Sequence, residues 1–140
     1  MIDKNTGELV LDTGLRIPPF CAKAAILASP LGQGAVEKSK GPGWTDVKVP
    51  PQKIDGRDFI LIFHFHDDLL AGLHLMDDDP RYGTSFETAD EPGRKAAHDA
   101  WLAETLGRPP YKYPWGEVGS TYDPRSESSE VYVLYRAQEP

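Results

Sequence analysis

The chain has 140 residues and a formal net charge of −7, with 39% hydrophobic and 26% charged residues. That length fits one domain, with roughly two thirds of the unfolded surface buried on folding. Three Trp, six Tyr and five Phe argue against disorder. The negative charge disfavours direct binding to phosphate backbones, and no basic cluster offsets it, so no nucleic-acid partner is expected.

One cysteine, Cys21, excludes an intrachain disulfide. The N-terminus has no basic segment followed by an apolar one, so no signal peptide is expected. The longest apolar run, Phe59 to Phe63, is far too short for a membrane span. These features together predict a cytoplasmic protein of one domain over residues 1–140.

From the N-terminus, Gly7 to Ile17 reads as a short hairpin, with Asp12-Thr13-Gly14 as its turn and Pro18-Pro19 ending it. Cys21 to Ala28 is Ala-rich and predicts a short helix stopped by Pro30. Leu31 to Gly43, rich in glycine, reads as a mobile loop. Trp44, Val47 and Val49 suggest a strand closed by Pro50-Pro51.

Asp58 to Met76 carries the strongest signal. Phe59 to His66 is strongly β-forming, Leu69 to Met76 is a second apolar run, and Asp67-Asp68 between them tolerates left-handed backbone. A two-residue turn puts His64 opposite Ala71 and Ile62 opposite Leu73. Phe59, Leu61, Phe63 and Phe65 then form the core face, and His74 falls on the side away from His64 and His66.

Asp77 to Gly93 reads as an acidic loop. Arg94 to Leu106 is the best helix, with Asp90 as N-cap, Pro92 in the first turn and Gly107 after its end. Its apolar stripe of Ala97, Trp101, Leu102, Thr105 and Leu106 should pack on the sheet. His98 and Asp99 are read as surface or partner-contact residues. Tyr111 to Trp115 is an aromatic connector. Glu117 to Tyr122 and Glu130 to Arg136 close the chain as two strands, the last at an edge. The fold class is therefore α+β: an antiparallel β-sheet of about five to seven strands, one main α-helix packed on one face, and a short N-terminal helix.

Candidate chemistry is sparse. His64 and His66, two apart on one strand, point the same way and could converge on a metal with Asp68. Asp77, Asp78 and Asp79 form a carboxylate run without the spacing of a calcium loop. Cys21 reads as a small, buried apolar residue. Tyr111, Tyr113, Trp115 and Tyr122 are the densest aromatic group, suited either to a lid over the sheet or to a binding hot spot.

One string is more specific: Arg94-Lys-Ala-Ala-His-Asp-Ala-Trp-Leu, then Tyr113-Pro-Trp-Gly-Glu-Val, then Tyr122-Asp-Pro-Arg-Ser before a closing strand. It resembles small bacterial proteins, some of them similar to immunity proteins of interbacterial toxin systems. The likeness covers the last third of the chain, and Phe59 to Ser85 more loosely. It implies a non-enzymatic protein-binding module that neutralises a toxin, with no cofactor and no catalytic residues to carry over. The expected partner is a protein, such as a toxin with a basic surface, met by Asp77, Asp78, Asp79, Tyr82, Trp115 and Tyr122. The alternatives are a metal-binding or metal-dependent protein using His64 and His66, and a small-ligand domain using a helix–sheet gap lined by Phe63, Phe65 and Trp101.

Overall fold

The computed structural model describes residues 1–83, 85 and 88–137; Thr84, Phe86 and Glu87 of the predicted acidic loop lie outside this range. Strands β1 (Leu9–Val10) and β2 (Arg16–Ile17) pair as a small antiparallel hairpin. Helix α1 (Lys23–Ala28) and a 3-10 turn (Pro30–Gly32) follow. Next come β3 (Val36–Ser39), β4 (Trp44–Ile54), β5 (Arg57–His66) and β6 (Leu69–Asp77). A second 3-10 turn (Pro80–Tyr82) leads toward helix α2 (Glu91–Leu106), and β7 (Tyr111–Tyr113), β8 (Gly116–Asp123) and β9 (Ser128–Tyr135) complete the chain. The main sheet is seven-stranded in the order β3-β4-β5-β6-β9-β8-β7, every pair antiparallel.

The ribbon β5–β6 turns at Asp67 and Asp68, whose φ angles of 50° and 65° are the left-handed values a tight hairpin demands. Phe59, Leu61, Phe63 and Phe65 are fully buried, as the alternation predicts. The predicted register holds only next to the turn. Beyond Phe65↔Leu70 the pairing slips to His64↔Gly72, leaving Ala71 as an extra residue. Past this bulge every β6 side chain lies on the face opposite to the expected one. Leu73, Leu75 and Asp77 join the core face, and His74 moves to the face of Ile62 and His64. Gly72 suits the site, since a Cβ there would lie 2.5 Å from the carbonyl oxygen of Val133.

Three further expectations are corrected. The supposed mobile loop contains β3, which pairs with β4 from Val36↔Lys48 to Ser39↔Thr45. β4 continues through Pro50-Pro51, because these two residues sit in a bulge between Val49↔Leu61 and Gln52↔Phe59, where no ladder N–H is required of them. β9 lies inside the sheet between β6 and β8, and the aromatic connector supplies β7 at the edge.

Helix α2 covers the core face at β6, β8 and β9. Asp90 caps it through Oδ1, which accepts from the Gly93 N–H at 3.0 Å, and Gly107 follows with a φ of 84°. Trp101 packs on Phe59 with ring centroids 4.7 Å apart, and its indole N–H donates to Asp55 at 2.9 Å. Phe63, Phe65 and Trp101 are at most 1% exposed within the core, so the ligand gap expected between them is filled. A cavity of about 520 Å³ lies instead at the end of α2, bounded by Leu102, Pro110, Tyr111, Val118 and Tyr132.

The docking of α2 is also polar. His98, expected at the surface, is fully buried. Its Nε2 accepts from the Asp77 N–H at 2.9 Å, while Nδ1 has no hydrogen-bond partner among the described residues. Glu91 accepts from the Ser129 N–H at 3.0 Å and pairs with Arg94, which donates through Nε to the Asp77 carbonyl at 3.0 Å. Burial pushes the His98 imidazole down to about 4, with Arg94 acting the same way against the carboxylates of Asp77, Glu91 and Asp99.

The unfolded chain therefore takes up this proton before the folded chain does. The stability tied to neutral His98 is complete above the ordinary value near 6.5 and is lost as pH falls toward about 4. Urea unfolding should show a loss on the order of 3 kcal/mol across that interval. His98→Gln, which keeps an acceptor but does not titrate, should flatten that part of the profile; an unchanged profile would refute the assignment.

Candidate functional site

The side of the sheet away from α2 carries the alternate residues of each strand. Lys38, Trp44, Asp46, Lys48, Ile60, Ile62, His64, His66, His74, Met76, Glu130, Tyr132 and Leu134 are all partly or fully exposed. Trp44, Leu69 and Leu134 are large apolar side chains exposed by 41%, 46% and 48%. Trp44 packs against His66 with centroids 4.5 Å apart and the rings tilted by 37°. At the other end, a groove of about 340 Å³ is lined by Val36, Lys48, Pro50, Ile60 and Asp78. An apolar surface of this kind on an otherwise charged protein is a candidate contact region.

Four polar side chains from four strands meet in the middle of this face. Asp46 on β4 lies directly opposite His64 on β5, and its Oδ1 is 2.7 Å from His64 Nδ1. His64 Nε2 is 2.9 Å from Nδ1 of His74 on β6, with the rings edge-on at 79°. His74 Nδ1 also lies 3.4 Å from Glu130 Oε2 on β9. Burial lowers the His74 imidazole below its ordinary value and His64 adds to the effect, while Glu130 and Asp46 oppose it. The bulge at Ala71 creates this cluster; the uninterrupted register would have turned His74 into the core.

The predicted metal group does not come together. His64 points to Asp46 and His74, His66 packs against Trp44, and Asp68 pairs with Lys23 at 3.2 Å. Among the described residues no group of three or more His, Cys, Asp or Glu is placed to hold a metal ion. Cys21 is half-buried against the core, and burial raises its thiol.

The predicted partner-contact residues divide by burial. Asp77 is 4% exposed; its carboxylate accepts from the Asp79 N–H at 3.0 Å and lies 3.6 Å from Arg57. Trp115 is 7% exposed, stacked on Tyr113 at 4.9 Å, with its indole N–H donating to the Lys4 carbonyl at 2.8 Å. Both make their polar contacts within the fold, Trp115 tying the N-terminal segment to the sheet. Asp78 is exposed beside Ile60, and Tyr122 is 40% exposed. Asp79 caps the second 3-10 turn and pairs with Arg81 at 3.0 Å, while Tyr82 lies near the guanidinium groups of Arg81 and Arg94. Asp46, His74 and Glu130 are the residues that sequence reasoning missed.

Burial and exposure give opposite expectations for two substitutions. Trp115→Ala should destabilise the protein by about 3–5 kcal/mol in urea unfolding, through a cavity and a lost indole hydrogen bond. Leu134→Lys should change stability by no more than about 0.5 kcal/mol. A large loss for Leu134→Lys would mean that this face is part of the core.

No protein-family model matches the chain, and no curated protein matches it significantly. Among solved structures, a chain of "Rhs1-CT in complex with cognate immunity protein RhsI1" is similar to this one, with a TM-score of 0.61 at 18% identity, over 96% of this chain and 86% of that one. The likeness is one of fold, extending along nearly the whole length of this chain.

Proposed function

We propose that this chain is a non-enzymatic inhibitor that binds and neutralises a bacterial toxin, the counterpart of the immunity protein in a toxin–immunity pair. The observation that carries this reading is the fold likeness, over 96% of the chain, to a chain from such a complex. Two features support it. The sheet face away from α2 offers Trp44, Leu69 and Leu134 to a partner. The net charge of −7 suits a toxin with a basic surface, through steering and complementarity. In this reading the 140 residues act as one domain in the cytoplasm, and the protein works by occlusion.

The contact region we assign is the open face, with Asp78 at its Ile60 end. Asp79, Tyr82 and Tyr122 are peripheral contacts. Desolvated apolar side chains contribute most of an interface's affinity, while charged ones set orientation and rate.

Co-expression with the toxin encoded beside its gene tests the reading. The chain alone should leave bacterial growth unchanged, restore growth when the toxin is present, and co-purify with it. Growth arrest by the chain alone would identify it with the toxin half of such a pair and overturn the proposal. The double variant Trp44→Asp with Leu134→Lys should weaken toxin binding at least about tenfold in calorimetry, with the unfolding midpoint unchanged. Full affinity in that variant would move the contact region off this face.

A further inference from the structure

The cluster at the centre of the open face has a chemical polarity that follows from its hydrogen bonds. A carboxylate oxygen accepts, so the 2.7 Å contact between Asp46 and His64 Nδ1 places a proton on that nitrogen. With a single ring proton on Nδ1, His64 presents a lone pair at Nε2. The 2.9 Å contact to His74 is satisfied if His74 donates from Nδ1. The Glu130 carboxylate, 3.4 Å from the same Nδ1, favours a proton there and would repel a lone pair. The lowered proton affinity of His74, set first by burial, keeps its ring neutral at neutral pH.

Both imidazole protons are thus spent inside the chain His74→His64→Asp46. The cluster is left with acceptors that have no donor among the described residues: His74 Nε2, the second oxygen of Asp46 and the second oxygen of Glu130. Lys38 and Lys48 share the face, yet neither forms an ion pair with Asp46 or Glu130. Four side chains from four adjacent strands thus present two carboxylates and no outward N–H.

The geometry points to a receptor for one arginine side chain of the partner, seated over His74 between Asp46 and Glu130. A guanidinium brings five donors and a positive charge in one plane, which suits several separated acceptors better than a lysine does. The proposal rests on the toxin-binding reading for the source of the arginine, and on the cluster alone for its chemistry. Protonation of His74 would turn its outward acceptor into a donor and add a like charge, so protons compete with the guanidinium.

Imidazole nitrogen NMR on the intact chain, without any toxin, tests the inference. At about pH 7.5 both His64 and His74 should carry their proton on Nδ1, with Nε2 bare. N-acetyl-arginine amide should perturb His74 Nε2 and shift its titration to lower pH. The neutral N-acetyl-citrulline amide should do neither. Asp46→Asn and Glu130→Gln should each weaken the arginine response about threefold to tenfold. A proton on His74 Nε2 in the native protein would overturn the proposal whatever the variants do. So would an equal response to citrulline, or none to arginine at about 100 mM. Because the probe is a small amide, such a failure leaves the neutralisation reading standing. A positive result with no toxin neutralisation would leave the arginine receptor and remove the partner.

Discussion

The whole molecule depends on which side of the β5–β6 ribbon is buried. Phe59, Leu61, Phe63 and Phe65 project to one side of β5, and removing three phenyl rings and a leucine from water concentrates apolar burial on that side. β6 must match that side with its own apolar residues, but an unbroken hairpin from the Asp67-Asp68 turn would bury Gly72 and His74 there instead. The extra residue at Ala71 resolves the conflict: it rotates the rest of β6 so that Leu73 and Leu75 meet the rings. The candidate site is a consequence of this repair, since the same rotation brings His74 out beside His64.

Once the ring side is fixed, α2 has one place to dock, and its amphipathicity alone is weak guidance. Trp101, Leu102 and Leu106 supply the apolar contact, while Glu91, Arg94 and His98 tie the helix to Asp77 and Ser129. Such a polar pin contributes less to gross stability than apolar burial, but it selects one position along the sheet, because the hydrogen bonds of Glu91, Arg94 and His98 Nε2 form only there. Holding His98 neutral is part of that arrangement, since a charged ring could not accept from the Asp77 N–H.

With α2 committed to one side, the other is left to solvent or to a partner. It is unlike an ordinary solvated sheet face. Large apolar residues stand at its rim, and its centre is a connected polar cluster whose donors are turned inward. A surface of this kind combines area for desolvation with a fixed demand on the chemistry of whatever covers it. That combination, together with the fold shared with a chain of a toxin–immunity complex, joins the architecture to the proposed role.

Several features were legible in the sequence because their causes are local: the rings of β5, the Asp67-Asp68 turn, the Asp90 cap, the Gly107 stop and the antiparallel α+β class. Two local signals went unread. Asp55-Gly56, with φ angles of 52° and 77°, is a hairpin turn, and with Pro50-Pro51 taken as a bulge it places Asp46 opposite His64. Other features had no local cause to read. The bulge at Ala71, the interior position of β9, the burial of Asp77, His98 and Trp115, and the convergence of Asp46, His64, His74 and Glu130 were settled only when strands far apart in the chain were paired. A side chain's facing depends on register, and register is chosen by the packing of the whole sheet.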